Sequence, residues 1–383
     1  MDRKIFFDQN PQPVCVGTGL VALDIVFNGE ASMPPRMWAG GSCGNVLTIL
    51  SYLGWLTIPL IRLGQDDAAD RILKDWQKFD VDCNFVELDK KVSTPIIVEQ
   101  IRNSVDGLPT HRFFSICPNC GTWLPRYRPV LLANAKRSFS QLSTVNCFYF
   151  DRVSPAAFAL ASQAKSAGAL VVFEPPNIKD KDLFYKAVKI SHIVKYANDR
   201  TCEDLTFNTT DGPLLVIETL GEAGIRYRFR NKKSPEHWKK LPAFSLNKFC
   251  DAAGSGDWCT AGIIYKLGTI GSKRFEKLSE KRIVEALEFG QAMAALNCGY
   301  EGARGGMYVL GIHDFKKAIK RILDSRIVDE PIKEKVPEDV SALFSCLCPG
   351  CQKRTGKPEG KKNFTKSNRS LITCFIKRTG YGV

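Results

Sequence analysis

The sequence predicts an α/β fold in which helices flank an open, doubly wound sheet, and three observations support this prediction. From residue 145 onward, short apolar runs alternate with helical patterns, which is typical of parallel βαβ units. Two long apolar helical patterns, 257–267 and 281–298, close the domain. A chain of 383 residues that is 44% hydrophobic is long and apolar enough to bury one large core.

The first part of the chain predicts two strands, two helices and a hairpin. The strands are expected at 14–17 and 58–63, and helical spacing is present over 45–53 and 67–79. The stretch 93–102 alternates between apolar and polar residues, is followed by Asp106-Gly107, and continues in a second apolar run at 111–114. An Asp-Gly pair between two such runs is a strong hairpin signal.

The second part of the chain predicts the alternating strands and helices of the doubly wound sheet. The strands are expected at 147–150, 170–173, 192–194 and 214–218. The helices are expected near 155–167, 181–190 and 199–207, with a further helix near 313–324. Since strands joined through helices are normally parallel, their carboxyl ends should lie at one edge of the sheet.

Composition divides the chain into one folded domain, 1–328, a linker with a cysteine-rich segment, 329–351, and a basic tail, 352–383. No uninterrupted apolar run is long enough to span a bilayer, and the N-terminus does not resemble a secretory leader. We therefore expect a cytoplasmic protein with no membrane partner. Half of the fourteen cysteines are expected to be small buried hydrophobes in a reducing compartment.

The net charge of +14 is concentrated at the C-terminus. From Gln352 onward there are nine Lys or Arg residues and a single acid, Glu359, which gives this tail a charge of +8. A solvated terminus is the favoured interpretation, and binding of a nucleic acid or an acidic partner is the alternative.

The segment 251–257 is the most informative part of the sequence. Gly254-Ser255-Gly256 is followed at once by Asp257 and then by an apolar helical pattern. Bare amides at a helix N-terminus attract anions, whereas a carboxylate beside a bound phosphate would repel it. The pairing is explained if Asp257 is a general base that activates a hydroxyl group toward a bound phosphoryl group.

This segment resembles the Asp-Thr-x-Gly-Ala-Gly-Asp signature of the PfkB-type, ribokinase-like carbohydrate kinases. Four other segments resemble motifs of that family, and they occur in the family's order: 40–45 (Gly-Gly-x-x-x-Asn), 64–67, 219–224 (Thr-x-Gly-x-x-Gly) and 298–303. The resemblance implies a ribokinase-like doubly wound sheet with a small β-sheet lid, expected from about 14–45 and 90–130. It also implies possible pairing of two lids in a homodimer.

The resemblance implies an ATP- and magnesium-dependent kinase that phosphorylates a hydroxyl group of a small substrate, a sugar more than a nucleoside. Asp257 would be the base, and the residues of the anion hole would be Ala253, Gly254, Ser255 and Gly256. The substrate would contact Asp24, Gly40, Gly41 and Asn45. The nucleotide would contact Asn198, Thr219, Gly221 and Gly224. Asp251 would help to hold a monovalent cation such as potassium. The alternative for Asp24 is a turn or capping acid.

One segment departs from the family pattern. The family's Asn-x-x-Glu segment, which helps to organise magnesium, corresponds here to Asn198 with Thr201 three residues later. The next glutamate, Glu203, comes two positions too late. We expect Asp199 or water to substitute for the missing carboxylate, and loss of activity is the alternative.

Two short cysteine motifs predict a metal site. Cys117-Pro118-Asn119-Cys120 and Cys348-Pro349-Gly350-Cys351 are both Cys-Pro-x-Cys turns, and together they supply the four thiolates of a structural zinc site. Such a site would pin the C-terminal segment to the lid. Separate redox-active pairs or unpaired thiols are the alternatives.

Two further residues and one alternative function complete the sequence-based picture. Trp38 could stack on a substrate ring or simply pack, and Glu174 lies at a strand end where α/β folds gather ligands. The alternative function is a catalytically idle protein that binds a partner or a nucleic acid through the zinc segment and the tail.

Overall fold

Sixteen strands are present in the described part of the chain. They are β1 (Val14–Thr18), β2 (Ala22–Asn28), β3 (Arg36–Gly40), β4 (Leu56–Pro59), β5 (Ile61–Gly64), β6 (Val86–Asp89), β7 (Ile96–Asn103), β8 (Pro109–Phe114), β9 (Cys147–Phe150), β10 (Leu170–Phe173), β11 (Ile193–Ala197), β12 (Leu215–Thr219), β13 (Ile225–Phe229), β14 (Lys239–Leu241), β15 (Ser245–Leu246) and β16 (Ile327–Val328).

Eleven helices accompany them. They are α1 (Ser42–Tyr52), α2 (Asp67–Gln77), α3 (Leu132–Ser138), α4 (Pro155–Ser166), α5 (Lys181–Ile190), α6 (Ser255–Leu267), α7 (Ser272–Phe275), α8 (Glu280–Asn297), α9 (Gly305–Val309), α10 (Ile312–Ser325) and α11 (Pro349–Thr355).

The computed structural model describes residues 12–28, 36–103, 109–117, 120–138, 145–176, 180–198, 212–230, 237–329 and 347–355. The expected helix over 199–207, the expected turn at Asp106-Gly107 and nearly all of the basic tail lie outside these residues. Within them, no helix is both long enough and apolar enough to span a bilayer.

The largest sheet has eight strands in the order β14-β13-β12-β11-β10-β9-β1-β4. The six strands β4, β1, β9, β10, β11 and β12 are parallel to their neighbours in this sheet. Strand β13 pairs antiparallel with β12 and with the edge strand β14. This confirms the doubly wound α/β fold. The four predicted strands of the second half are present, and β9 and β10 have the predicted bounds.

Helices cover both faces of this sheet because the inner strands are apolar on both sides. Along β9, Cys147 and Tyr149 belong to one core cluster, whereas Phe148 and Phe150 belong to the other. Helices α1, α6 and α8 contribute to the first cluster and α4 and α5 to the second. All four residues of β9 are buried, as expected for a strand between two layers of helices.

A four-stranded sheet, ordered β3-β2-β7-β8, forms the lid. Strands β7 and β8 are antiparallel and confirm the predicted hairpin. Strand β1, however, lies inside the large sheet, between β4 and β9. The expected lid range that began at residue 14 therefore included one strand that is not part of the lid.

The predicted strand at 58–63 was wrong in one respect, because the chain forms two strands there. Strand β4 ends at Pro59 in the large sheet, and β5 begins at Ile61 and pairs with β6. Leu60 still donates its amide to the Gly17 carbonyl oxygen of β1 at 2.8 Å, and the chain leaves the large sheet after this contact.

Candidate active site

The site lies where the strand order of the large sheet reverses, between β1 and β9. In open α/β sheets, ligands bind at such a point, outside the carboxyl ends of the strands. Asp151 follows β9, is fully buried, and accepts a hydrogen bond from the Leu20 amide at 2.9 Å. A Cβ atom on Gly19 would lie 1.6 Å from Asp151 Oδ1. The turn after β1 is thus fixed, and it directs the chain into lid strand β2.

The loop before α6 is held in place by Asp251. One carboxylate oxygen of Asp251 accepts the Ala253 amide and the other accepts the Gly302 amide, both at 2.9 Å. Gly254 has φ +70°, and a Cβ atom there would lie 2.2 Å from the Ala303 carbonyl oxygen. Glycine is therefore required at this position, and the loop is pinned to the chain at 302–303.

Asp257 lies in the first turn of α6, next to this loop. Its Oδ2 accepts a hydrogen bond of 2.7 Å from Asn45 Nδ2, and both side chains are buried. Asn45 belongs to the first turn of α1, which begins after Gly41 with φ +83°. The N-termini of α1 and α6 therefore meet at the Asp257 carboxylate. Two of the predicted anion-hole amides already have acceptors: Ala253 donates to Asp251 Oδ1 at 2.9 Å and Ser255 donates to the Ala252 carbonyl oxygen at 3.1 Å.

Asp24 lies opposite this carboxylate, on lid strand β2. Burial raises the pKa of Asp24 to about 7, and the charge of Asp257 adds to the effect, whereas Arg304 and the Gly41 amide oppose it. A Cβ atom on Gly40 would lie 1.9 Å from Asp24 Oδ2, so only glycine leaves room for this side chain. The structure thus brings the predicted substrate residues of β2, β3 and α1 together with the predicted base.

The lid register extends this face beyond the predicted residues. Trp38 lies opposite Asp24, and Arg36 and Glu99 both lie opposite Val26, so they share one face of the lid sheet. Glu99 is 2% exposed. Burial raises the pKa of Glu99 to about 9, and Asp251, Asp24 and Glu301 raise it further.

Residues 301–304, here called the floor, contact this face of the lid sheet through strand β3. Glu301 pairs with Arg36 at 2.6 Å, and a Cβ atom on Gly302 would lie 3.5 Å from the Trp38 ring. Arg304 donates from Nη2 to the Ala39 carbonyl oxygen at 2.8 Å and to Asp75 at 2.6 Å.

Buried polar atoms without a hydrogen-bond partner concentrate in this region. In the described part of the chain there are nine such side-chain atoms. Seven of them belong to the lid face, its floor and the start of α1: Asp24 Oδ1, Trp38 Nε1, Asn45 Oδ1, Glu99 Oε1, Glu301 Oε1, Arg304 Nε and Arg304 Nη1. Buried polar groups are normally paired, so this mixture of acceptors and donors suits a ligand that carries several hydroxyl groups.

A buried ion pair lies beneath the start of α6. Lys195 on β11 is 2% exposed and donates to Glu174 at 2.6 Å, while Glu174 also accepts from Thr260 at 2.6 Å. Burial alone would lower the pKa of Lys195, but Glu174 holds it above its ordinary value. A Cβ atom on Gly256 would lie 3.6 Å from Lys195 Nζ. The same Cβ atom would lie 3.7 Å from Glu174 Oε1, so the Lys195–Glu174 ion pair is fixed beside the expected anion hole.

Sequence reasoning missed Lys195, Thr260 and Glu99 and left Glu174 as an unassigned strand-end acid. Lys195 follows the predicted strand 192–194 and belongs to the otherwise apolar β11, but a single charged residue at such a place does not by itself indicate burial. Lysine is almost never fully buried unless it is paired.

The predicted nucleotide residues also come together, at the ends of β11 and β12. The Asn198 amide donates to the Thr219 carbonyl oxygen at 3.1 Å, and the Leu220 amide donates to the Gly224 carbonyl oxygen at 2.8 Å. Gly221 and Gly224 have φ of +60° and +89°, backbone conformations that residues other than glycine rarely adopt. The two glycines flank Glu222 and Ala223 in a tight turn at the carboxyl edge of the sheet.

The four predicted cysteine ligands converge at the base of the lid, by which we mean residues 115–124 directly after lid strand β8. The sulfur atoms of Cys117, Cys120, Cys348 and Cys351 all lie within 4.8 Å of one another. The Cys117–Cys351 and Cys120–Cys348 sulfur distances are 3.8 and 3.6 Å. A tetrahedral ion with metal–sulfur bonds of about 2.3 Å requires about 3.8 Å between sulfurs, whereas a disulfide requires about 2.0 Å. The two closest sulfur distances are compatible with a tetrahedral metal site and too long for disulfides.

Comparison with solved structures identifies the fold. The chain is similar to fructokinase with bound ATP from Xylella fastidiosa (TM-score 0.62, 16% identity, covering 80% of this chain and 98% of that chain). It is similar to ribokinase from Giardia lamblia (TM-score 0.61, 16% identity, 82% and 100%). It is also similar to the Burkholderia thailandensis nucleoside kinase in complex with inosine (TM-score 0.57, 15% identity, 80% and 97%). The sheet and the helices that flank it thus have the ribokinase-like fold.

The family is established by sequence. The model of the pfkB family carbohydrate kinases matches residues 31–308, which is more than two-thirds of the chain. A search of curated proteins gives no match. The chain belongs to the pfkB family of carbohydrate kinases, and it is a kinase of the carbohydrate or nucleoside type.

Proposed function

We propose that the protein transfers the terminal phosphoryl group of ATP to a hydroxyl group of a small sugar-like substrate. The observation that carries this proposal is the position of Asp257, which lies in the first turn of α6, is oriented by Asn45 at 2.7 Å, and is within electrostatic range of Asp24. A base beside a helix N-terminus, facing a second carboxylate, suits a polyol that must lose one proton while another of its hydroxyls is held.

In the proposed reaction, Asp257 takes the proton of the acceptor hydroxyl. The hydroxyl oxygen forms a bond to the terminal phosphorus of ATP as the bond between that phosphorus and the bridging oxygen of ADP breaks. The Gly254 and Gly256 amides and the N-terminal dipole of α6 stabilise the charge on the transferred group, whereas the Ala253 and Ser255 amides already donate within the protein.

We propose ATP with magnesium as the phosphoryl donor. Asn198, Thr219, Gly221 and Gly224 would hold the nucleotide at the ends of β11 and β12, and magnesium neutralises phosphate charge when it is bound. Thr201, which replaces the glutamate expected in the magnesium network, lies outside the described residues. Substitution by Asp199 or water is part of the proposal.

We propose zinc for the four-cysteine group and a monovalent cation, such as potassium, near Asp251. Four thiolates in tetrahedral arrangement are characteristic of structural zinc. Potassium is present in a similar fructokinase from Vibrio cholerae that was solved with fructose and ADP. None of the eleven described cysteines forms a disulfide, which supports the expected cytoplasmic location.

We propose a sugar rather than a nucleoside as the acceptor, and a homodimer formed through the lid. The similar proteins include kinases of both kinds, such as an aminoimidazole riboside kinase from Salmonella enterica. The unpartnered atoms of the lid face support an acceptor with several hydroxyl groups. Phe113, which is 49% exposed on edge strand β8, supports lid pairing.

The test is a phosphoryl-transfer screen over pentoses, hexoses, deoxy-acid sugars and nucleosides, with Asp257→Asn as the key variant. We expect one acceptor class to stand out and Asp257→Asn to lose at least about a thousandfold in kcat with little change in stability. The matched control, Asp70→Asn, alters an exposed acid of α2 and should retain full activity.

Two results would contradict the proposal. The first is transfer that survives in Asp257→Asn. The second is transfer to no acceptor by either protein, a result that favours the catalytically idle alternative, in which the zinc segment and the tail bind a partner or a nucleic acid. Salt-sensitive binding of RNA or DNA by the full chain would support that alternative.

A further inference from the structure

The first cysteine pair lies in a hairpin that continues the lid. After β8, the Leu124 amide donates to the Ser115 carbonyl oxygen and the Cys117 amide donates to the Thr122 carbonyl oxygen, each at 2.9 Å. Ile116 and Trp123 form an antiparallel bridge between these contacts. The Cys117–Cys120 turn is therefore the tip of this hairpin.

The returning arm of the hairpin is connected by hydrogen bonds to the strand that carries Asp24. The Ile96 amide, at the start of β7, donates to the Pro125 carbonyl oxygen at 3.3 Å. The Leu23 amide donates to the Pro95 carbonyl oxygen at 2.9 Å. A displacement of the hairpin would therefore move the starts of both β7 and β2.

The second cysteine pair comes from the C-terminal segment and packs closely against this hairpin. Leu347, Cys348 and Cys351 are buried in the core cluster that also contains Leu124. A Cβ atom on Gly350 would lie 2.2 Å from Thr122 Oγ1, so the two turns touch through a glycine. Cys348 lies 228 positions from its partner Cys120 in the sequence.

Apolar burial alone is a weak anchor for this segment. Within residues 347–353, only Leu347 and the two cysteines are buried. Ordering a terminal segment costs conformational entropy at every residue, and closing a long loop adds to that cost. A metal ion bound by two thiolates from each turn supplies the missing free energy, because binding free energy is then folding free energy.

We propose that zinc on the four cysteines ties the C-terminal segment to the base of the lid and thereby sets the position of Asp24 and Glu99 over the acceptor. The metal has no part in the chemistry, since four thiolates leave no open coordination position. The effect on the acceptor rests on the proposed kinase function. The attachment of the C-terminal segment to the lid by zinc, here called the tie, does not depend on that function.

The experiment begins with the full-length protein purified without chelator. Elemental analysis should give about one zinc per chain. Replacement by cobalt should give the intense absorption of a tetrahedral thiolate site. Cys348→Ser and Cys351→Ser should lose the metal, whereas Cys83→Ser, which changes a cysteine outside the group, should retain it. Protein without zinc, or with zinc that persists in both serine variants, would overturn the site.

Hydrogen exchange then tests the tie without any substrate. Removal of zinc by a chelator should accelerate exchange over 94–101 and 115–125 and leave α8 protected, and added zinc should reverse the change. Unchanged exchange over the lid would overturn the tie even if zinc binds. Because wild-type protein is used, a variant that fails to fold does not affect this measurement.

The acceptor effect is measured with the acceptor found in the screen. Loss of zinc should raise the acceptor KM about tenfold or more, because displacement of a positioning residue by about 1 Å is costly, while the KM for ATP stays the same. An equal rise in both values would overturn a specific effect on the lid. A protein that binds zinc and shows the exchange change but transfers no phosphate would contradict the kinase proposal alone.

Discussion

Glu99 provides the most quantitative test of the site, because the lid buries a carboxyl group that has no partner for Oε1 among the described residues. Replacing Glu99 with Gln keeps the shape of the side chain and removes its ability to ionise. The expected result is a more stable protein at neutral and alkaline pH. Stability should not change near pH 4, where the glutamate is protonated in both folded and unfolded chains.

The magnitude follows from the pKa of Glu99, which burial raises from 4.5 to about 9, with contributions from Asp251, Asp24 and Glu301. A carboxyl with a raised folded pKa binds its proton more tightly when folded, so stability is lost as pH rises from the unfolded pKa to the folded pKa. At about pH 7.5 this loss amounts to about 4 kcal/mol, at about 1.4 kcal/mol per pH unit. Glu99→Gln should recover a large part of it.

The assay is urea unfolding of wild type and Glu99→Gln between about pH 4 and 9, analysed as the difference in free energy of unfolding. Asp24, whose pKa burial raises to about 7, contributes a loss of the same sign to both proteins and cancels in the difference. Glu276→Gln, at an exposed position, is the matched control and should not change the pH dependence. A Glu99→Gln protein with the same pH slope as wild type would refute the reasoning.

Two further changes test the packing around the site. Gly40→Ala places a Cβ atom 1.9 Å from the Asp24 carboxylate and should lower kcat/KM for the acceptor at least about tenfold. The control is Gly311→Ala, whose Cβ atom meets open space and should leave kcat/KM unchanged. Equal kinetics in the two variants would argue against the assigned role of Asp24. Lys195→Met leaves Glu174 buried without its cation and should cost about 3–5 kcal/mol in urea unfolding, most of it recovered when Glu174→Gln is added. Additive losses in that double variant would contradict the pairing.

The sequence predicted the fold well where local pattern and tertiary environment agree. Strands β9 and β10 are short, wholly apolar runs between helical patterns, and their bounds were predicted correctly. The 58–63 run failed because its apolar character does not reveal that the chain changes sheets after Pro59. Only the pairing partners, β1 for one half and β6 for the other, distinguish the two strands.

The candidate site was predictable where a motif carries its own chemistry. Asp257 and the cysteine turns could be chosen from their local pattern and Asn45 from the family resemblance, and the structure brings Asn45 to Asp257 and the two cysteine turns to each other. Glu99 and Lys195 could not, since a single charged residue in a strand is ordinarily a solvated side chain. Their importance depends on burial and on neighbours that come from distant parts of the chain.

The distance in sequence between the two cysteine turns has a consequence for biosynthesis. Cys117 and Cys120 leave the ribosome early, but their partners follow after more than two hundred residues, which takes about 10–45 s at usual rates of translation. During that period the nascent chain carries only the first of the two cysteine pairs, with two unprotected thiols. A chain that terminates before Cys351 would lack a ligand of the proposed zinc site, so metal content would report whether synthesis had passed that residue.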